Sequence, residues 1–385
     1  MIEIKIGIIG IGNMGSSHAN SIVKDKVKNA KLTAVCDIDS ARIKWAKNNL
    51  DSEIEYFTNP QRFYQEADIE AVLIATPHYD HPPLAVEAFK NELHVLIEKP
   101  AGVYTKAVRE MNETAQKTDK VFGIMYNQRT RAIYQKLKEL IDSGELGEIK
   151  RTNWIIDWYR PQSYYNNGGW RATWEGEGGG VLLNQDPHQL DLWQWICGMP
   201  KKVRAFAENG KYHNIEVEDD VTAYVEYENG ATGVFVTSTG IAPETNRLEI
   251  SGNKGKIIVE NNEIHFKRLR TPEREFNHDF KGGFGSPECW ECKIPLAGDN
   301  PEHLGILNNW IDAILNGAEL IAPGEEGIKG LTISNAMHLS AWTDDWVELP
   351  LDENLFKEKL DKKIENSTFV KENIEAETMD VEGTF

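Results

Sequence analysis

A chain of 385 residues exceeds one ordinary hydrophobic core, so two domains are expected. Its composition, 40% hydrophobic and 27% charged, is that of a globular protein and excludes disorder along the whole length. With 42 basic against 61 acidic side chains the formal net charge is −19, which repels phosphate backbones and anionic lipid and argues against nucleic acid and membrane as partners.

Residues 4–9 (IKIGII) read as a strand, followed at once by Gly10-Ile11-Gly12-Asn13-Met14-Gly15 and a helical stretch to about Val23. A second apolar run, Leu32 to Cys36, ends in Asp37. A helix over Ala41–Asn49, strands at Glu55–Phe57 and Ala71–Ala75, and a helix over Pro83–Asn91 follow. Then come the strand His94–Ile97, a helix from about Thr105 to Lys117, and Val121–Tyr126. Strands alternating with helices predict a parallel sheet covered on both faces, an α/β Rossmann domain over residues 1–126.

Beyond Asn127 the pattern changes. A helix to about Ile141 leads into an alternating stretch, Ile149–Tyr159, then a Gly/Trp/Tyr-rich loop over 160–180 and one apolar helix from Val181 to Ile196. From Val203 to Ile294 strand follows strand, with turns at Asn229-Gly230 and near Gly252 and Gly255. Helices at about His303–Asn316 and Glu325–Trp342 close an α+β domain, residues 127–350, built on one large, mainly antiparallel sheet. Residues 351–385 read as a charged C-terminal extension, helical or loose. A sheet that large with few helices to cover it predicts a homodimer or homotetramer packed through the sheet.

Met1-Ile2-Glu3 lacks a basic leader region, no run approaches about 20 apolar residues, and four scattered cysteines make no disulfide framework; the cytoplasm is the expected compartment. Cys289 and Cys292 form an isolated CxxC without further zinc ligands at matching spacing, so they are expected to be strand residues, and no metal is expected.

The glycine triplet directly follows a strand and opens a helix. In that setting Gly10 permits a tight turn, Gly12 lets backbone amides, with Asn13 and Met14 beside it, approach a pyrophosphate, and Gly15 lets helix pack on strand. Asp37, at the end of the second strand, suits the adenosine ribose hydroxyls and repels a 2′-phosphate. The expected cofactor is therefore NAD; Arg42 nearby keeps NADP as the alternative.

Glu98-Lys99-Pro100 follows a strand at the carboxyl edge of the parallel sheet, where open α/β folds bind ligands. A lysine there can stabilise the alkoxide formed as hydride leaves a carbinol. In Gly178-Gly179-Gly180-Val181-Leu182-Leu183-Asn184-Gln185-Asp186-Pro187-His188-Gln189-Leu190-Asp191, residues Asn184 and His188 share a face if the helix is continuous, and Pro187 allows a bend or helix start. His188 can take a hydroxyl proton, with a reference pKa of about 6.5. Asp191, one turn on, is positioned to hold its ring, and Asn184 can orient a substrate.

Together these residues resemble the Gfo/Idh/MocA family of oxidoreductases. The resemblance runs through GIGNMG at 10–15, ATPHYDH at 75–81, EKPAGV at 98–103, the GGG…HQLD segment at 178–191 and APGEEGIKGL at 322–331. It implies that Lys99 and His188 are catalytic, that Thr76, Pro77, His81 and Glu98 lie along the cofactor, and that Trp170 and Arg171 reach its nicotinamide end. Asn184 departs from the aspartate common four residues before the histidine; Asp186 or Asp191 is then the carboxylate left to recruit, and an aspartate at 184 is expected to be compatible with activity. Trp154, Trp158, Tyr159, Tyr164, Tyr165, Trp170 and Trp174, interspersed with polar residues, suit either a sugar site or a core. The resemblance favours a sugar, glycoside or cyclitol held by Lys99, Tyr159, Arg171, Asn184 and His188, with a glucoside oxidised at C3 as one case. A non-catalytic dinucleotide-binding regulator and an NAD-dependent glycoside hydrolase of the same family are the alternatives.

Overall fold

The computed structural model describes residues 2–50 and 53–371. Strands β1 (Ile4–Ile9), β2 (Ala30–Cys36), β3 (Glu55–Phe57), β4 (Ala71–Ile74), β5 (His94–Ile97) and β6 (Phe122–Ile124) form a parallel sheet in the order β3-β2-β1-β4-β5-β6. Ile6, Ile8, Val72, Leu73, Val95 and Leu96 are wholly buried, as continuous apolar runs covered on both faces must be. Helices α1 (Asn13–Val23), α2 (Ser40–Asn49), α3 (Pro60–Glu66), α4 (His81–Lys90) and α5 (Thr105–Ala115) supply the cover. The sequence reading missed α3, whose seven residues are too few to show periodicity; its start is nonetheless marked, since the Asn59 side chain accepts from the Arg62 amide and Pro60 opens the first turn.

The chain continues through α6 (Ala132–Asp142), β7 (Ile149–Asp157), α7 (Gln162–Asn166), α8 (Val181–Asn184) and α9 (Pro187–Cys197). Then follow β8 (Lys202–Asn209), β9 (Glu218–Glu226), β10 (Thr232–Ser238), β11 (Asn246–Gly252), β12 (Gly255–Glu260), β13 (Glu263–Leu269), α10 (Glu273–Asp279) and β14 (Cys289–Ile294). The described elements end with α11 (Glu302–Asn316), α12 (Gly327–Thr343), β15 (Val347–Glu348) and α13 (Glu353–Glu365). These nine strands make one sheet, β14-β13-β12-β11-β7-β10-β9-β8-β15. Every pairing is antiparallel except β7 with β10, the two strands at its centre.

Helices α9 and α12 cover one face. Trp193 of α9 stacks on Phe235 with ring centroids 5.4 Å apart and donates its indole N–H to the Thr152 hydroxyl at 3.1 Å. The opposite face carries Ile155 and Phe206 well exposed, at 42% and 60%. Cys289 and Cys292 lie on the edge strand β14 as strand residues, and all four cysteines are free thiols. Among the described residues no helix is long and apolar enough to cross a membrane. The expected C-terminal extension is helical over α13; from residue 372 on it lies outside the described residues.

Three local expectations change. The 160–180 loop contains α7, and the strand run to Ile294 is interrupted by α10. The single helix expected over 181–196 is two: α8 ends at Asn184 and α9 begins at Pro187, which lacks the N–H an unbroken helix would need there. The site depends on that break.

Candidate functional site

The glycine-rich turn leaves the carboxyl end of β1, beside the point where strand order reverses between β1 and β4. Gly10 has φ of +90°, and a Cβ there would stand 2.6 Å from the Ala75 carbonyl oxygen. A Cβ on Gly15 would meet the Gly10 oxygen at 1.8 Å, so this glycine is needed for helix-on-strand packing. A Cβ on Gly12 would meet nothing within 4 Å; it would project into open space in front of α1. Helix α1 has no side-chain cap, so its first amides point at that space without a protein partner. Asn13 Oδ1 and Thr76 Oγ1 are buried without a partner. The arrangement fits a dinucleotide pyrophosphate held against α1.

Asp37 follows β2. Its Oδ2 accepts the Ile11 amide at 2.7 Å and its Oδ1 accepts the Asp39 amide at 2.8 Å. Each oxygen keeps a lone pair for a ribose hydroxyl, and the carboxylate also braces the turn. Arg42 sits on α2, in the helix that follows.

Thr76 and Pro77 lie between β4 and α4, and His81 is the first residue of α4. Both nitrogens of the wholly buried His81 ring face backbone carbonyls, Nδ1 that of Pro100 at 2.7 Å and Nε2 that of Thr76 at 2.8 Å. Burial lowers the pKa of this ring while the two carbonyls pull it back up. The ring thus braces the loop to the Lys99-Pro100 turn and has no nitrogen left for a ligand. His78, which the sequence reading did not single out, brings its Nδ1 within 3.1 Å of the Glu177 carbonyl and packs edge-on to Trp170 at 5.3 Å. It ties the β4 edge to the aromatic loop.

Glu98 faces inward. Its Oε1 lies 2.7 Å from Nε2 of His18, on α1. Burial opposes its ionisation, but the His18 hydrogen bond and charge, with His303 and Lys99 behind, hold the carboxyl down at about 2. The Lys99 ammonium donates to the Asn184 carbonyl at 2.8 Å. Burial first, then the neighbouring Arg171 and Arg160 charges against Glu98 and Glu177, brings Lys99 down to about 8. Pro187 explains why that carbonyl is available: an unbroken helix would give it to the amide of His188, four residues on.

His188 is 4% exposed, and neither ring nitrogen has a partner. Its ring stands edge-on to Tyr126 at 6.1 Å. Burial, then the positive charge of Lys99, pushes its pKa well below 6.5, so it is neutral near pH 7. A buried imidazole with both nitrogens idle, beside a lysine, is chemically able to take a proton from a donor placed against it. Asp191 does not hold it. Arg129 takes both Asp191 oxygens, at 2.6 and 2.8 Å, and reaches Glu326 at 2.6 Å, so this buried cluster joins α9 to the segment before α12. Asp186 does not hold it either: its Oδ1 accepts from the Trp158 indole at 2.8 Å, and its Oδ2 is buried without a partner.

Arg171 lies between the rings of Trp170 and Tyr164, 4.5 and 4.7 Å from their centroids, and donates to the Tyr164 hydroxyl at 2.8 Å. The seven aromatics divide. Trp154, Tyr165 and Trp174 are core; Trp158, Tyr164 and Trp170 are half-buried around the site; Tyr159 is 45% exposed. Sequence reasoning also missed Glu177, a carboxylate 1% exposed. It accepts the Ala172 amide at 2.6 Å and a hydrogen bond from Asn184 Nδ2, and it stands 3.9 Å from Arg171. Its signal was its place one residue before the glycine triplet, within reach of an otherwise unbalanced arginine.

Comparison with known proteins agrees with this geometry. Residues 4–126 match the model of an oxidoreductase family with an NAD-binding Rossmann fold, and residues 134–258 match a GFO/IDH/MocA C-terminal domain. Myo-inositol 2-dehydrogenase of Thermotoga maritima is 26% identical over 266 residues, 67% of this chain and 75% of that protein. The scyllo-inositol 2-dehydrogenase (NADP(+)) of Bacillus subtilis is 25% identical over 352 residues, 86% of this chain and 92% of that protein. The WlbA dehydrogenase of Chromobacterium violaceum, solved with NADH and UDP-GlcNAcA, is 30% identical with a TM-score of 0.78, covering 91% of this chain and 97% of that one. The chain belongs to the Gfo/Idh/MocA family of NAD-binding oxidoreductases.

Proposed function

We propose that this protein oxidises a secondary hydroxyl of a sugar, glycoside or cyclitol, or reduces the matching ketone, using NAD in preference to NADP. The observation that carries the reading is the convergence of the Lys99 ammonium, from the carboxyl edge of the parallel sheet, and the unpartnered His188 ring, from helix α9, beside the glycine-rich turn. Bound NAD supplies the hydride acceptor. His188 takes the hydroxyl proton, Lys99 holds the oxygen as negative charge develops on it, and Asn184 and Arg171 bind neighbouring hydroxyls. Tyr159, exposed at the rim, contributes a face for a sugar ring to stack on. The names of the relatives support a polyol substrate, and the Asp37 carboxylate supports NAD by repelling a 2′-phosphate. A non-catalytic regulator would have no use for a buried, unpartnered histidine beside a lysine. The test is a panel of inositols, free sugars, glycosides and nucleotide sugars, each with NAD or NADP, read by formation of the reduced cofactor. No turnover with any polyol would refute the reading.

The same reading includes a homodimer or homotetramer in the cytoplasm. The exposed sheet face, with Ile155 and Phe206 on it, supports assembly, and free thiols support the compartment. Light scattering is expected to give twice or four times the 43.6 kDa chain mass, and a monomer at micromolar concentration would refute the assembly.

A further inference from the structure

We propose that Glu177 is a positioning residue that fixes which end of the Asn184 amide faces the substrate, making that position an acceptor of a substrate hydroxyl hydrogen and not a donor. The proposal rests on the reading that Asn184 lies at the substrate site.

A carboxylate only accepts hydrogen bonds, whereas an amide does both. Glu177 Oε1 contacts the Asn184 side chain, so the amide turns its NH₂ to Glu177 and its oxygen away. No group among the described residues donates to that oxygen, and it is not one of the buried orphan atoms, so it faces the open side of the site. The same residue is fixed through its backbone, where Lys99 donates to the Asn184 carbonyl at 2.8 Å. Asn184 is therefore clamped between an ammonium and a carboxylate.

Glu177 has a second task. Its Oε2 accepts the amide of Ala172, a buried non-glycine residue at φ +63° in the left-handed region. Such a conformation persists only where neighbours over-determine it. The turn it makes carries Arg171, whose guanidinium stands 3.9 Å from Glu177 Oε1. One carboxylate thus sets the orientation of two polar side chains facing the substrate.

This reverses one expectation from the sequence, that Asn184→Asp is compatible with activity. In the structure that substitution sets a carboxylate against that of Glu177, and two in contact cannot both be ionised. The test is a double-variant cycle with Glu177→Gln, Asn184→Asp and the pair combined. Glu177→Gln removes the acceptor-only partner, and KM for the polyol is expected to rise about tenfold with kcat within about threefold. Asn184→Asp is expected to raise KM by about tenfold or more. In the double variant the amide introduced at position 177 donates to the carboxylate introduced at position 184, whose other oxygen again faces the substrate. There KM is expected to return to within about threefold of the parent. A purely structural role would not yield that rescue. In the substrate-free protein, the asparagine-labelled Asn184 side-chain NMR signal is expected to lose its hydrogen-bonded downfield shift in Glu177→Gln. A Glu177→Gln protein with parental KM, a double variant that loses the product of both single effects, or an unmoved amide signal would each overturn the proposal. The NMR result needs no substrate, so failure of the polyol reading is distinguishable from failure of this one.

Discussion

The dependence of rate on pH follows from the two groups that meet at the site. Burial is the main cause that brings Lys99 to about 8, and Arg171 and Arg160 add to it against Glu98 and Glu177. If the ammonium stabilises the developing alkoxide, kcat/KM tracks the charged fraction. That fraction is roughly nine tenths at about pH 7 and roughly one tenth at about pH 9, so kcat/KM should fall about tenfold from its plateau by about pH 9. His188 must be neutral to take a proton. A histidine with its reference pKa would place the acidic limb near 6.5, but burial and the Lys99 charge move His188 well below that value, so the limb moves with it. The plateau should therefore extend into the mildly acidic range.

Two variants assign the limbs. Lys99→Arg keeps a positive charge at every accessible pH, so the alkaline limb should disappear even as the rate drops with altered geometry. His188→Ala should flatten the acidic limb and cost about 10²–10⁴ in kcat, with NAD affinity nearly unchanged. The assay is initial-rate kinetics of polyol oxidation across the pH range at saturating NAD, with NAD binding titrated separately. A rate that climbs through about pH 8 and levels above it would refute the argument: Lys99 would then act as a base in its neutral form, and His188 would lose that role.

Replacing Asp37 by Asn removes the charge facing the ribose while keeping one acceptor for the backbone amides, so the preference for NAD(H) over NADP(H) should narrow by about tenfold or more in binding titrations; wild-type preference for NADP(H) would refute the basis. Asp191→Asn leaves the buried Arg129 guanidinium without its two-oxygen partner and should lower stability by about 3 kcal/mol in denaturant unfolding, because a charge stranded in the interior costs more than a surface one; an unchanged midpoint would show that Glu326 alone suffices.

What the sequence made legible follows from where each constraint sits. The glycine turn was readable because backbone geometry fixes its residue types locally: Gly10 at positive φ and Gly15 under the β1 edge admit no side chain. The EKP tripeptide was readable through its place after a strand and through the family resemblance. Partners across the fold were not readable. Asp191 looked like a histidine's neighbour by helical spacing, but Arg129, 62 residues earlier, claims both its oxygens. Glu177 and Asn184 meet only because the loop over 160–180 folds back on itself, and no periodicity encodes that. The aromatic run was ambiguous for the same reason: alternation along β7 buries Trp154, while Trp158, just beyond the strand, is held by Asp186 from the segment between α8 and α9.

Pro187 sits between these two cases, since its local effect was visible and its consequence was not. It stops α8 at Asn184, and the carbonyl thereby freed is the one that Lys99 engages. Pro187→Ala restores an N–H at 187 and lets the two short helices merge, so the amide of His188 would compete with Lys99 for the Asn184 carbonyl. Proline at a first helical turn is itself favourable, so the stability change should stay within about 1 kcal/mol. Catalysis should suffer more. With Lys99 losing its acceptor and His188 drawn back along a straighter helix, kcat should fall about tenfold or more at unchanged NAD affinity. Parental kcat and KM in Pro187→Ala would mean that the break in the helix is incidental, and that something other than the freed carbonyl holds the lysine in place.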